Sequence, residues 1–270
     1  MPKAYNAAVR AGAVIIDIYL GEEKLDDGLK SDHTPITIAD RRSHESIKHY
    51  LGQTRIPILS EEGREMLYSE RKDWDLFWLV DPLDGTKEFI KGNGEFTVNI
   101  ALMVDKCPVL GVVYVPFLHK IYFCDDEAGA FRRSGVAPDP EAEYAYGDVF
   151  SGTEPLPVAS GANSPIRIAV SRSHNTPETF ARIDEIKRCY PDAVTVEQGS
   201  SYKFCLIAEG SVDYYVRTSD TYEWDTAAGE AILARAGGRT LSLPGMTSLE
   251  YNKESLLNPH FCCRSRWFEP

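Results

Sequence analysis

Apolar residues recur at helical spacing near the start of the chain, where alanine, valine and isoleucine fall on one side of a predicted helix. Asp17 interrupts this run and leaves it too short for the core of a signal peptide, so we expect an amphipathic core helix. A second helix is predicted to run through Leu51, with Asp40 as its N-cap. Runs rich in β-branched and aromatic residues predict strands at 34–40, 56–60, 76–81, 97–105, 108–116, 120–126 and 129–133. The first half is therefore expected to combine helices with an antiparallel sheet.

Strand and helix patterns alternate in the second half, which is typical of an α/β unit. Strands are predicted at 167–173, 193–200 and 212–218, and helices at 177–190, 201–209 and 225–238. Residues 134–165 interrupt these patterns with proline, glycine, alanine and acidic residues, which predicts a surface connection or flexible insertion. The expected organisation is an α+β half at 1–133, this insertion, and an α/β half at 166–270.

The composition suits a folded protein and excludes several functional classes. With 270 residues, 43% of them hydrophobic, the chain can bury a sizeable core in one large domain or two coupled ones. Its formal charge of −12 argues against a binder of nucleic-acid polymers, and an anionic ligand would need cations to mediate its binding. The six cysteines form no C-x-x-C pair, which indicates a reducing compartment. No apolar run approaches about 18 residues, so we expect no membrane span and a cytoplasmic location.

The sequence D-P-L-D-G-T at 81–86 follows directly after an apolar strand. A strand end delivers side chains into a crevice, and the carboxylates of Asp81 and Asp84 can share one cation there. Hard divalent cations such as Mg²⁺ prefer oxygen ligands of this kind. Aspartate, proline and glycine are also ordinary turn residues, so these positions alone leave a plain turn open.

Three further acidic segments favour a metal site. Glu61 and Glu62 end another predicted strand, and adjacent carboxylates repel each other unless they are exposed or bridged by a cation. Asp225 opens an alanine-rich helix, and Asp40 lies at a strand–helix junction. Either aspartate could serve only as an N-cap. The helix that begins near Asp225 also presents free N–H groups to a phosphate.

Four segments, in this order, resemble the lithium-sensitive inositol monophosphatase superfamily: LSEE, DPLDGTKEF, GSSYKFCLIAEG and WDTAAGEAIL. The fuller string DPLDGTKEFIKGNGEFTVNIAL, together with SRSH and SLLNP, resembles the bacterial 3'(2'),5'-bisphosphate nucleotidases of sulfate assimilation. The resemblance covers the chain except about 134–165. It implies the layered αβαβα sandwich of the inositol monophosphatase and fructose-1,6-bisphosphatase type.

The resemblance also implies roles for individual residues in a phosphatase that uses two or three Mg²⁺ ions. Asp40 and Thr86 are implied to position and deprotonate the attacking water, without a phosphoenzyme. The implied metal ligands are Glu61, Asp81, the backbone carbonyl of Leu83, Asp84 and Asp225. The resemblance assigns no role to Glu62.

The implied substrate is a small phosphorylated adenosine nucleotide, 3'-phosphoadenosine 5'-phosphate, which would be hydrolysed to AMP. The residues implied to contact it are Gly85, Thr86, Ser173, His174, Gly199, Ser200, Lys203 and Asp225. His174 and Ser173 are expected near the nucleotide, and Lys203 near its second phosphate. Lys87 and Glu88 are interpreted as surface charges and Trp224 as a packing residue. The sequence leaves the oligomeric state open.

Three alternatives remain open. Phosphatases of the haloacid dehalogenase class carry D-x-D-G-T with a nucleophilic aspartate, but here two residues separate Asp81 from Asp84, which favours metal binding. The same fold could act on inositol phosphate or fructose bisphosphate. A nucleotide-binding relative without catalysis is the third, although every expected acid and the threonine are present.

Overall fold

Two large β-sheets and one two-stranded sheet, with helices between and outside the large pair, make up the structure, a computed structural model that describes residues 1–21, 28–29, 35–36 and 38–269. The helices are α1 (Pro2–Leu20), α2 (Ile38–Leu51), α3 (Tyr68–Arg71), α4 (Thr86–Ile90), α5 (Tyr146–Phe150), α6 (Pro177–Cys189), α7 (Tyr202–Glu209) and α8 (Glu223–Arg235). The strands are β1 (Gly28–Leu29), β2 (Pro35–Ile36), β3 (Ile58–Ser60), β4 (Leu76–Asp84), β5 (Thr97–Val104), β6 (Cys107–Val115), β7 (Lys120–Asp125), β8 (Gly129–Ser134), β9 (Glu154–Pro155), β10 (Arg167–Ser171), β11 (Val194–Gln198), β12 (Tyr214–Arg217), β13 (Arg239–Ser242) and β14 (Phe261–Arg264).

The larger sheet has seven strands in the order β3-β4-β5-β6-β7-β8-β9. All neighbours are antiparallel except β3 and β4, so the antiparallel sheet predicted for the first half is confirmed. The smaller sheet has the order β11-β10-β12-β14-β13. Its first three strands are parallel, as the alternating pattern indicates, whereas the antiparallel pair β13 and β14 was not predicted.

Five layers pack around three apolar cores, one of which extends on both sides of the middle layer. On one face of the larger sheet, α1 and α2 pack through Ile15 and Ile47. Between the sheets lie α7 and α8, whose Phe204 and Ala228 belong to the core that both sheets share. On the outer face of the smaller sheet, α6 packs through Ile183. The expected layered αβαβα sandwich is confirmed. Among the residues that the structure describes, no helix is long and apolar enough to cross a membrane.

The segment 134–165 is more ordered than its composition indicates. It contains α5 and β9, and it buries Val136, Ala142 and Val149 in the core beside α1. The side chain of Asn6 in α1 bonds to the backbone of Tyr144 in both directions, at 2.8 and 3.1 Å. Isolated apolar residues therefore anchor a stretch that is otherwise mostly exposed or half-buried, and its interpretation as a surface connection or flexible insertion stays a prediction. The division of the chain into two halves at these boundaries stays a prediction.

Two predicted helix caps lie inside their helices instead. Because α2 begins at Ile38, Asp40 is its third residue, and residues 38–40 are helical instead of part of the predicted strand at 34–40. The described part of that strand is β2; residues 34 and 37 lie outside the described residues. Asp225 is the third residue of α8, and its carboxylate accepts a 2.7 Å hydrogen bond from the backbone N–H of Tyr222. A carboxylate can satisfy a helix terminus from this third position as well as from the N-cap.

Candidate active site

The last residues of β4 contain one residue more than the strand beside them. Asp81 pairs with Asn99 and Asp84 with Thr97, so three steps along β4 match two along β5. Side chains three residues apart on a regular strand face opposite sides of the sheet. The bulge instead lets Asp81 and Asp84 line the same cleft. Within it, the N–H of Leu83 donates to Oδ1 of Asp81 at 3.1 Å.

Three carboxyl groups from different elements meet beside this bulge. Glu61 follows β3, the parallel neighbour of β4, and Asp225 lies in the first turn of α8. Oxygen atoms of Glu61, Asp81 and Asp225 all lie within 4.8 Å of one another. The predicted ligands from both halves of the chain are thus brought together.

Burial makes this cluster costly without a cation. Asp81 is fully buried, and desolvation raises its pKa well above the usual value. The neighbouring carboxyl groups of Glu61, Asp84, Asp225 and Asp40 raise that pKa further. Desolvation and the charge of Asp84 likewise raise the pKa of Asp225. An all-oxygen set under such repulsion fits a hard divalent cation.

Asp84 is held by a residue that the sequence interpretation missed. Ser201, just before α7, donates to Oδ2 of Asp84 from both its backbone N–H and its hydroxyl. The same hydroxyl lies 2.8 Å from the carbonyl of Asp225 and accepts a 3.1 Å bond from Asn99. Asn99 also approaches Oδ2 of Asp81, at 3.5 Å. One serine therefore joins β4, β5 and α8, and the polar G-S-S run before α7 was the available signal for it.

The two residues predicted to handle the water proton are in contact. The hydroxyl of Thr86, the first residue of α4, donates to Oδ2 of Asp40 at 3.2 Å and lies 3.4 Å from the carbonyl of Leu83. Asp40 is buried in α2 and meets the cleft through Thr86. Gly85 precedes Thr86 with φ of 95°, and a Cβ there would stand 2.9 Å from the carbonyl of Glu95. Glycine is therefore required at this turn.

The opposite wall of the cleft carries most of the residues predicted to contact substrate. The cavity measures about 210 Å³. Besides the acids, its lining includes His174, Gly199, Ser200, Lys203 and Arg217. Arg217 was not predicted as a site residue. It is the last residue of β12, and its guanidinium donates to the carbonyls of Ser219 and Asp220.

His174 and Ser173 are both tied to α4. Nζ of Lys87 lies 3.0 Å from Nε2 of His174. Burial, together with Arg217 and Lys87, lowers the pKa of His174 to about 4, so the ring is neutral at pH 7. Because an ammonium group can only donate, Nε2 accepts and the proton resides on Nδ1. Ser173 donates to Glu88 at 2.6 Å, and Glu88 is buried, so its interpretation as a surface charge is wrong.

Lys203 holds the neighbouring loop. It is buried, and its Nζ donates to the carbonyls of Ser200 at 2.6 Å and Gln198 at 3.1 Å. Desolvation and the charge of Arg217 lower its pKa to about 8. The N–H of Gly199 is also engaged, by Glu95 at 2.8 Å. Contact of these groups with a second phosphate stays a prediction.

Trp224 packs as predicted. Its ring stacks on Tyr222 with centroids 5.2 Å apart and an interplanar angle of 15°, and it lies against the core between the sheets.

Comparison with known proteins places this site in context. Residues 2–266 match the inositol monophosphatase family. The 3'(2'),5'-bisphosphate nucleotidase CysQ of Salmonella typhimurium is 39% identical over 257 residues, which cover 94% of this chain and 95% of that protein. Its namesake from Escherichia coli strain K12 is 38% identical over the same coverage.

Solved structures give the same picture. CysQ from Bacteroides thetaiotaomicron, described as a bacterial member of the inositol monophosphatase family, aligns with a TM-score of 0.88 at 43% identity, over 98% of this chain and 96% of that one. The IMPase of Thermotoga maritima aligns with a TM-score of 0.72 at 20% identity, over 98% of this chain and 91% of that one, and shares the fold.

Proposed function

The chain belongs to the inositol monophosphatase family, and from this premise we propose that it is a magnesium-dependent 3'(2'),5'-bisphosphate nucleotidase. It removes the 3'-phosphate of 3'-phosphoadenosine 5'-phosphate and leaves AMP and inorganic phosphate. The observation that carries the proposal is the meeting of Glu61, Asp81 and Asp225 in one cleft with the Thr86–Asp40 pair. Similarity to the CysQ nucleotidases over 94% of the chain supports the choice of substrate.

The residues that would hold two or three Mg²⁺ ions are Glu61, Asp81, Asp84, Asp225 and the carbonyl of Leu83. Bound magnesium supplies positive charge that offsets the charge of the phosphate ester and eases deprotonation of water. The chain's own contribution is to fix these oxygens in a buried cleft. The bulge in β4 orients Asp81 and Asp84, and Ser201 fixes the rotamer of Asp84.

Proton transfer is assigned to Thr86 and Asp40. Because the Thr86 hydroxyl donates to Asp40, its oxygen is left to accept a proton from a water in the cleft. As that proton moves to Thr86, the threonine proton passes to the Asp40 carboxylate. The water oxygen forms its bond to phosphorus while the bond to the 3'-oxygen breaks, and solvent supplies a proton to that oxygen.

Direct attack by water distinguishes this mechanism from the haloacid dehalogenase class. Asp81 lies inside the acidic cluster, with Oδ1 accepting from Leu83, which suits a metal ligand better than a nucleophile. We expect no phosphorylated Asp81 during turnover. Recovery of that species by acid quench and mass spectrometry would replace this mechanism with a covalent one.

Recognition of the nucleotide is assigned to the opposite wall. Neutral His174 would offer its Nδ1–H to an acceptor on the base, and the neighbouring Ser173 is assigned to the same base edge. Lys203, the loop at Gly199–Ser200 and Arg217 place positive charge and polar groups where a second phosphate would lie. An inositol phosphate has neither a base nor a second phosphate, so it would make none of these contacts, and contacts to the remainder of a substrate are what discriminate between substrates. A cytoplasmic location stays a prediction.

A phosphate-release panel tests the proposal. The purified protein is assayed on 3'-phosphoadenosine 5'-phosphate, inositol monophosphate and fructose 1,6-bisphosphate, each with magnesium and with EDTA. We expect the adenosine bisphosphate to give the highest kcat/KM and EDTA to abolish all activity. A higher kcat/KM on inositol monophosphate would overturn the substrate while leaving the metal reaction in place. Full activity in EDTA would overturn the metal reaction.

A further inference from the structure

Glu95 lies between α4 and β5, and both of its carboxylate oxygens accept hydrogen bonds from residues in the other half of the chain. Its side chain is 19% exposed. Nη2 of Arg172 lies 2.7 Å from Oε1, and Nε of Arg172 lies 2.8 Å from Oε2. The backbone N–H of Gly199 donates to Oε2 at 2.8 Å. One carboxylate thus holds two separate segments of the second half.

These two segments are the ones assigned to nucleotide recognition. Arg172 directly precedes Ser173 and His174, and Gly199 directly precedes Ser200. Arg172 also reaches Glu197 of β11, at 3.0 Å, so the ends of β10 and β11 are linked through the same guanidinium. Removal of Glu95 would take a contact from both segments at once.

The backbone at Gly199 lies so close to its neighbours that it leaves no room for a side chain. A Cβ at this position would stand 2.7 Å from Cγ of Glu88, 2.8 Å from the carbonyl of Glu95 and 3.0 Å from its Cβ. The segment at Gly199 therefore packs directly on the chain that leads from α4 to β5. Since α4 begins at Thr86, recognition and catalysis share this support.

We propose that Glu95 is a positioning residue for substrate specificity, which holds the segments at 172–174 and 199–200 in the geometry that receives the nucleotide without touching it. The inference rests on the proposed nucleotidase function. A bidentate arginine–carboxylate pair adds orientation as well as strength. Holding both segments before binding lowers the ordering cost that substrate would otherwise meet.

The ionisation of Glu95 agrees with this role. Burial raises its pKa, but Arg172 and the N–H of Gly199 outweigh burial and lower it below the usual value. The carboxylate is therefore charged at neutral pH and accepts from both partners.

Glu95→Gln tests the inference, because it preserves size and removes the charge that binds Arg172. With magnesium saturating, kcat and KM are measured on the adenosine bisphosphate and on inositol monophosphate. We expect kcat/KM for the bisphosphate to fall about 10-fold, mainly through KM, by analogy with the loss of one charge-assisted contact. The kcat/KM for inositol monophosphate should stay within about twofold, as should the magnesium dependence.

Glu70→Gln is the matched control. Arg64 contacts both oxygens of Glu70, at 2.7 and 3.3 Å, and the N–H of Leu67 donates to Oε2 at 2.9 Å. Glu70 thus makes the same kinds of bond as Glu95, but it lies in α3 and contacts neither recognition segment. We expect Glu70→Gln to leave both substrates unchanged.

Arg172→Lys is the second variant, since it retains charge and loses the two-pronged contact. Arg172 is 34% exposed, so this change tests positioning even if Glu95→Gln fails to fold. It should reproduce the KM increase, and the double variant should be no worse than either single one. Equal losses on both substrates, or no loss on the bisphosphate, would overturn the inference. If the wild-type protein prefers the bisphosphate and selectivity survives Glu95→Gln, only this inference fails; if the wild type prefers inositol monophosphate, the proposed function fails.

Discussion

The two walls of the cleft are held in place by different kinds of contact. The metal wall depends mainly on backbone position: Asp81 and Asp84 lie at the end of an interior strand, and Asp225 lies in the first turn of a helix packed between two sheets. The recognition wall depends on side chains, since ion pairs and single hydrogen bonds from Glu95 and Lys87 hold its segments. The first wall is thus fixed mainly by the elements that carry it, and the second by individual side-chain contacts, some buried and some partly exposed.

This difference separates rate from selectivity. In the proposed mechanism the metal wall would meet only the transferred phosphoryl group, which every substrate shares, so damage there should lower turnover of all of them. The recognition wall would meet the remainder of the molecule, where discrimination arises. Substitutions on the two walls should therefore differ in which substrates they affect.

Asp81→Asn should have the largest effect and nearly abolish turnover of every substrate, because it removes a central ligand charge. The fold should survive, since desolvation opposes a charge at this buried position. Phosphate release on the three phosphate esters and thermal unfolding without metal measure the two outcomes. Retained activity on any one ester would contradict the inference that damage to the metal wall affects all substrates alike.

Thr86→Ala should lower kcat by about 10²–10⁴-fold, the usual range for losing a positioned proton-transfer group. Affinity for Mn²⁺, measured by electron paramagnetic resonance, should change little because the carboxylates remain. Thr86→Ser keeps the hydroxyl and is the control, which should recover most of the activity. A large loss of Mn²⁺ affinity in Thr86→Ala would instead assign the residue to metal binding.

Lys203→Met should weaken use of the adenosine bisphosphate by about 10–100-fold, at roughly 1.4 kcal/mol per decade. The change leaves the carbonyls of Gln198 and Ser200 unpaired and removes a positive charge from the cleft. Inositol monophosphate should be hydrolysed almost as before, which kcat/KM on both esters will measure. An equal effect on the two esters would instead assign Lys203 a structural role.

Local sequence patterns point to the acidic residues of the cleft more directly than to the side-chain contacts around it, for a physical reason. Strand ends, turns and helix starts leave local patterns, so Glu61, Asp81 and Asp84 could be found from their neighbours in the chain. The burial of Glu88 and the bridge made by Ser201 depend on residues of the other half; the G-S-S run marks a polar loop at Ser201, but it does not identify the partners of either side chain. The same holds for β13 and β14, which pair across a long irregular stretch.

The smallest predicted effect concerns the protonation of His174. Its pKa should lie near 4 instead of the usual 6.5, which a ¹⁵N NMR titration of the ring can measure. The unfolded chain takes up this proton first, so this histidine's contribution to stability is lost as pH falls from about 6.5 through about 4. Lys87→Met should raise the pKa, because one nearby positive charge disappears. Lys91→Met, which removes a contact to Ser173, is the control and should shift it less.

The bulge in β4 makes this turn sensitive to chain length. Leu83 takes no place in the register between β4 and β5, so its carbonyl remains for the cleft. Deleting one codon at Pro82 or Leu83 would match two steps in β4 to two in β5 and so restore a regular strand. Every acidic side chain would be retained, and the two aspartates, now two residues apart, would still share a face. A scan of substitutions would never sample that change. For the same reason, an alignment that opens a gap here to match D-x-x-D with D-x-D would equate sequences that have two different reaction mechanisms. The position of gaps at this turn therefore carries as much information about ancestry as the aspartates themselves.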